Sequence, residues 1–315
     1  MARFLIRRSL LLILTVWVAS MLIFALTQLL PGNVARLILG RDARPEAIAQ
    51  FNERFGLDEP VVMQYLRWLR GFVVGDWGTS FTGINAEVRP LVLERFGKSL
   101  ILAAFTLLLS VPIGVGLGVL AALRENTWVD GLVSIGSLSV IGLPEFVTGI
   151  LLIQVFALQL GWFDAIAIIP PDLGFIGWLR VLTLPAVTAS FVLVGYITRM
   201  TRAGMMEELR KNYVRTARLK GLPEWQVIWK HVLRNALLPT ITVIGISVGW
   251  LIGGIVVIEN VFRYPGVGSL LIQAVEQKNL PVLQATTLLI VIAFSVSNLA
   301  ADLLYTLLNP RIRLR

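Results

Sequence analysis

The chain has 315 residues, no cysteine and a single histidine, His231. The first absence excludes a disulfide framework and thiolate metal ligation, and one histidine cannot anchor a metal alone, so no metal site is expected. Charge is scarce as well. Asp, Glu, Lys and Arg make up 15% of the residues, against 56% hydrophobic residues and a mean hydropathy of +0.78. Soluble domains carry about 25% charged residues, so the composition is that of an integral membrane protein. A formal charge of +9 would suit nucleic acid if it formed one basic surface, but the basic residues lie mostly between apolar runs. Nucleic acid is therefore not an expected partner; the lipid bilayer is. Also missing are a G-x-x-x-x-G-K-[ST] loop and any set of carboxylates, histidines or serine with a base at membrane depth. No catalytic residue is assigned, and the chain reads as a non-enzyme that binds no cofactor of its own.

What is present is a series of apolar runs, each close to the roughly 20 residues a helix needs to cross a bilayer. Six are expected, at about 9–30, 99–123, 131–160, 181–198, 236–258 and 283–307. The third contains Glu145 beside Pro144, the fourth is short and contains Pro185, and the sixth includes Asp302. The opening stretch has a basic start like a signal peptide, but its apolar run of 22 residues is too long and no small-x-small site closes it. It reads as a retained span.

Alternate connections differ in basic residues. One side receives Arg3, Arg7, Arg8, Arg124, nine residues from Arg199 to Arg234, then Arg311, Arg313 and Arg315, for 16 in all. The other receives Arg180, Arg263 and Lys278 in its short loops. The remaining nine lie in residues 31–98, too long a segment for the positive-inside rule. This bias predicts that both termini are cytoplasmic. The chain then divides into a cytoplasmic start and first span (1–30), an external segment (31–98), a five-span core (99–308) containing a cytoplasmic segment at 199–235, and a basic cytoplasmic tail (309–315).

In the external segment, Val61, Tyr65, Trp68, Leu69 and Phe72 recur at helical spacing with charges between them, predicting short amphipathic helices on the membrane face. A cap packed over the spans and a docking platform for a partner both remain open. Gly245, Gly249 and Gly253 repeat every four residues, as do Gly114 and Gly118. This spacing lets helix backbones approach closely in lipid, within one subunit or at a seam between two. An intramembrane carboxylate such as Glu145 lines a path or sits wet at a break before Pro144; Asp302 is expected to pair with a cytoplasmic arginine such as Arg199 or Arg202.

The cytoplasmic segment is the most amphipathic part of the chain. From Arg202 to Leu219 the pattern places Met205, Met206, Leu209, Tyr213 and Ala217 on one side of a helix that Gly221 can end, with Pro223 in the first turn of the next. In that next helix Trp225, Ile228, Trp229, Val232, Leu233 and Ala236 form an apolar face opposite Glu224, Lys230 and Arg234. Lipid binding gives no reason for so sharp an elbow, so it is expected to meet a protein partner.

The words "YVRTARLKGL" and "HVLRNALLPT" in this segment resemble the cytoplasmic loop of ABC importer permeases of the dipeptide, oligopeptide and nickel family. The stretches "RFLIRRSLLLIL" with "LLPGN", "RFGLDEPVVMQYLRWLRGFVVGDWGTSF", "SVIGLPEFVTGILLI", "VIENVFRYPGVGSLL" and "DLLYTLLNPRIRLR" match in order and spacing, so the resemblance covers nearly the whole chain. Arg215 stands where the general importer signature has Glu, as is usual in the peptide branch, and the later proline is displaced to Pro239.

The resemblance implies an all-α, six-span type I ABC importer permease with an external helical insertion after the first span, in a bacterial cytoplasmic (inner) membrane. It implies a second homologous permease subunit, two ABC ATPase subunits carrying ATP and Mg, and an extracytoplasmic solute-binding protein. Tyr213, Arg215, Thr216, Ala217, Lys220, Gly221, Leu222 and Pro223 would couple the chain to an ATPase, and Glu145, Gln154 and Glu259 are candidates for facing the translocation path. Peptides or peptide-like solutes are the expected cargo; nickel chelate and glutathione importers share the scaffold. The alternative, a self-contained secondary transporter, should show internal repeats around broken helices, and no convincing repeat is seen.

Overall fold

The computed structural model describes residues 2–28, 35, 40, 43–82, 86–170 and 174–308. The "LLPGN" stretch and the basic tail at 309–315 lie outside these residues. The described chain is almost wholly helical: α1 (Ala2–Gln28), α2 (Pro45–Phe55), α3 (Val61–Val74), α4 (Val88–Leu123), α5 (Trp128–Gly142), α6 (Glu145–Gln159), α7 (Phe175–Leu209), α8 (Asn212–Leu219), α9 (Glu224–Gly254), α10 (Val256–Val261), α11 (Val267–Glu276) and α12 (Leu280–Leu308). Among the described residues the β structure is one isolated bridge, Thr79 with Glu87. Five helices are long and apolar enough to cross a bilayer, or six if α5 and α6 form one bent span.

Three elements depart from the sequence expectation. The third apolar run is bent by 103° between α5 and α6, because Pro144 has no N–H to donate and holds Leu143 extended (φ −83°, ψ 130°). The fourth is one 35-residue helix that runs through Pro185 and carries Arg180 and Arg199 within it, so uncharged length understated it. The helix expected from Arg202 to Leu219 ends at Leu209 and restarts at Asn212, with Lys211 extended (ψ 147°).

Contacts divide the chain into two compact units. One comprises the described residues of Ala2–Ser99 and Pro265–Ser295. Its helix α3 turns Tyr65, Trp68, Leu69 and Phe72 inward, while Val61, expected on the same face, is exposed in the first turn. The Phe24 ring lies 5.5 Å from that of Tyr65 and 5.8 Å from that of Trp68, and the Tyr65 hydroxyl meets Ser20 Oγ at 2.9 Å. Asn279 donates to Ser80 Oγ at 2.6 Å and accepts from the Phe81 N–H, which pins the loop before α4 to the turn before α12. Val88, Val92, Leu270, Ala274, Val282 and Ala285 form the core beneath.

The other unit comprises the described residues of Leu100–Tyr264 and Val296–Arg315. Its centre is α7, of whose most apolar window 67% is buried, against 22–33% for the other long helices. A Cβ added to Gly118 would lie 2.7 Å from the Thr198 carbonyl oxygen, and one on Gly204 only 2.3 Å from that of Ala236. Glycine is required where backbones come this close. Gly114 faces Ile197 in the same α4–α7 contact, Gly245 faces Ala301, and Gly249 is buried. Around Gly253 there is open space. Replacement Gly204→Ala is expected to cost about 1–3 kcal/mol through overpacking, read as a lower melting temperature of the detergent-purified protein, whereas Gly253→Ala should not lower it.

Candidate coupling elbow

The elbow begins with the end of α8. Gly221 sits at φ +76°, its N–H bonds to the Arg218 carbonyl at 2.9 Å, and the Leu222 N–H reaches the Ala217 carbonyl at 3.4 Å. This is a Schellman closure, in which a left-handed glycine satisfies the last carbonyls of the helix. Pro223 then caps α9 from outside it in an extended conformation (ψ 143°), one residue earlier than the first-turn position expected. Arg218 grips Glu224 across the turn with two bonds of 3.1 and 2.5 Å.

The inner surface of the elbow is a core of its own. Val119, Ala122, Met205, Val214, Ala217, Val227, Ile228, Val232, Leu233 and Ala236 are buried together, with Met206, Leu209, Tyr213 and Leu222 packed against them. Trp225 and Trp229, expected on the inward face of α9, are each 63% exposed. A π-helical stretch over Val227–Val232, with its wider i→i+5 turn, breaks the 3.6-residue count that placed the tryptophans inside, and Val227, Ile228, Val232 and Leu233 are the residues buried.

Of the residues expected to couple, Arg215, Thr216, Lys220, Gly221 and Pro223 are exposed, Leu222 and Tyr213 are half-buried, and Ala217 is buried. Leu219 is 79% exposed and, with Trp225, adds apolar surface to the outside of the turn. Glu208, buried at the end of α7, accepts hydrogen bonds from Lys211 and, at 2.6 Å, from the Tyr213 hydroxyl. The bond to Glu208 holds the Lys211 ammonium above its ordinary pKa. Burial pushes the Tyr213 phenol up, so it remains a donor.

Sequence reading missed the clamp beside this elbow. Asp130, 6% exposed at the start of α5, accepts two bonds from the Arg202 guanidinium, Nε to Oδ1 at 2.6 Å and Nη2 to Oδ2 at 2.7 Å. The Asn126 N–H and Ser134 hydroxyl complete its shell, each at 3.2 Å. Arg210 reaches Glu125 in the same α4–α5 turn at 2.7 Å. Arg202 is therefore committed to Asp130 rather than to Asp302. The sequence signal was an acidic residue one position outside an apolar run, with a serine one turn further on.

The residues expected along the path occupy different environments. Glu145 is half-buried in the first turn of α6, where the positive end of a helix dipole favours a carboxylate. Gln154 is exposed in the π-helical half of α6, and Glu259 is 0% exposed in α10. Glu259 thus lies inside the unit.

Long apolar helices gathered round a glycine-packed centre, with an exposed elbow, are the architecture of a membrane-embedded subunit. Residues 1–103 match the N-terminal family of binding-protein-dependent transport system membrane components, and residues 114–314 match the binding-protein-dependent transport system inner membrane component. The chain belongs to this family and is a transmembrane subunit of an ABC importer, a transport subunit and not an enzyme. It is 39% identical over 297 residues, 94% of each chain, to a putative peptide transport system permease protein of Brucella abortus (strain 2308). It is 38% identical over 313 residues, 99% of each chain, to the glutathione transport system permease protein GsiC of Escherichia coli (strain K12). A solved inward-facing form of the MetNI methionine ABC transporter shares the fold, with a TM-score of 0.53 and 18% identity over 70% of this chain and 95% of that one. Family membership implies ATPase and solute-binding-protein partners.

Breaking the clamp by Asp130→Asn should destabilise the purified subunit by about 3 kcal/mol, the scale for removing one partner of a buried pair. Adding Arg202→Gln to that variant should cost less than the sum of the two single changes, by at least about 1 kcal/mol in thermal unfolding.

Proposed function

We propose that this chain imports peptides or peptide-like solutes, paired with a second homologous permease, above two ATPases that bind ATP and Mg and below an external solute-binding protein. The observation that carries the reading is the elbow: a turn closed by Gly221, packed rigidly from within and studded outside with Leu219, Lys220, Pro223 and Trp225. Exposed tryptophan and arginine, here Trp225 and Arg215, are residue types that anchor a protein interface.

In this reading both termini and residues 199–235 face the cytoplasm, and residues 31–98, the start of α7 that carries Arg180 and the turns holding Arg263 and Lys278 face outward. Closure of the ATPases displaces the elbow. Because Glu208 holds the start of α8 to the end of α7, the push passes to the spans and exchanges an inward opening for an outward one. ATP hydrolysis belongs to the partners, and selection of cargo rests largely with the binding protein. The similarity to peptide and glutathione permeases supports a peptide-like cargo, glutathione included.

Purification of the complex from its native membrane under mild detergent, with the copurifying chains identified by mass spectrometry, tests the assembly. A second permease and Walker-type ATPases are expected, and recovery of this chain alone would count against it. Within the complex, Trp225→Ala should weaken ATPase association about tenfold or more, the scale of an interface anchor. Gly221→Leu, which forces a branched side chain to φ +76°, should abolish uptake of a labelled dipeptide at equal membrane levels. Normal uptake in that variant would remove the coupling role.

A further inference from the structure

Beside the first turns of α9 lies a cavity of about 630 Å³ that the coupling reading leaves without a purpose. Lys230, His231 and Arg234 make it basic at one end, and Leu237, Leu238 and Ile241 line the other. From Arg234 to Ile241 is about 10 Å along the helix axis, so cationic groups stand directly above apolar side chains at the start of a membrane-spanning stretch.

The cations are conspicuous for what they do not meet. Elsewhere at this end of the unit Arg202 is paired with Asp130, Arg210 with Glu125, Lys211 with Glu208 and Arg218 with Glu224. Among the described residues no carboxylate lies within ion-pair distance of Lys230, His231 or Arg234. The Tyr213 hydroxyl on the cavity wall is already engaged with Glu208 and with the Asn235 amide, at 2.6 and 3.4 Å. What remains open is two permanent cations over an apolar wall.

We propose that this cavity binds the headgroup of an anionic phospholipid, its phosphate between Lys230 and Arg234 and its acyl chains along Leu237, Leu238 and Ile241. A basic pocket at the membrane boundary of a spanning helix matches a lipid in both of its parts. A soluble phosphate compound would use the cations and leave the apolar wall unused, and an acidic protein segment has no need of a wall that continues into the bilayer. The site depends on neither the cargo nor the elbow's partner, so it stands or falls apart from the importer assembly proposed above.

The test uses the full chain, alone or in the complex with which it purifies, in phosphatidylcholine nanodiscs with and without phosphatidylglycerol, and counts retained lipids by native mass spectrometry. Phosphatidylglycerol should be retained in preference to phosphatidylcholine. Each cation removed should weaken retention about fivefold, so Lys230→Gln with Arg234→Gln loses about 25-fold, whereas the charge-preserving pair Lys230→Arg with Arg234→Lys keeps it. Equal retention of the two lipids, or no loss in the glutamine pair, overturns the proposal. Displacement of the lipid by inorganic phosphate would assign the site to a soluble phosphate compound and overturn it. So would loss of copurifying ATPase in the glutamine pair, which would give these cations to a protein interface.

Discussion

In a bilayer, helices gain little by hiding apolar surface from one another, because the lipid is as apolar as they are. Close packing of backbones has to carry the association instead, and in the unit around α7 it does. The carbonyl oxygen of Ala236 lies where a Cβ on Gly204 would be, and Thr198 and Thr201 crowd the position of Gly118. Ala186, Ala189, Ser190 and Thr198 keep other faces of α7 slim as well, and all are buried. One helix can touch α4, α5 and α9 because half of its buried residues are Gly, Ala, Ser or Thr.

The elbow inherits its rigidity from that centre. Glu208 belongs to α7, yet its carboxylate holds Lys211 and Tyr213 on the far side of a helix break. Val227 and Val232 bring α9 back onto the same core that receives Val214 and Ala217. A loop fastened at both ends, by a buried carboxylate on one side and an apolar seam on the other, cannot swing independently of the spans. Its outer surface is free of such obligations, and there Leu219 and Trp225 project. Division of the elbow into a committed inside and an uncommitted outside is what the coupling role proposed for it would require.

The sequence made the apolar runs, the elbow's turn and the short helices of α2 and α3 legible, because each depends on local rules: run length, a glycine able to adopt positive φ, and 3.6-residue spacing. It concealed what depends on tertiary geometry. Arg199 and Arg202 looked like the end of a span, yet α7 continues to Leu209, and Asp130 receives the Arg202 guanidinium. No spacing rule joins residues 72 positions apart. Trp225 and Trp229 were misplaced for a different reason: the π-helical stretch over Val227–Val232 changes the period of the helix itself, and hydropathy counting assumes that period. The glycine repeat was read evenly, whereas only some of its members meet a neighbouring helix and Gly253 faces open space.

The bend at Pro144 adds a constraint on what surrounds the subunit. Backbone that leaves helical geometry at membrane depth must be covered by protein or by water, since lipid cannot satisfy its polar groups. If α5 and α6 are one span, its bend falls at Leu143 and Pro144, and in the isolated chain both are exposed, Leu143 by 44%. Lipid is then the wrong neighbour for that face. A second permease or a water-filled path would satisfy it, and Glu145, half-buried in the turn that follows, is better placed beside either than in hydrocarbon. The bend thus calls for a protein neighbour or a water-filled path at that face, on grounds independent of the elbow.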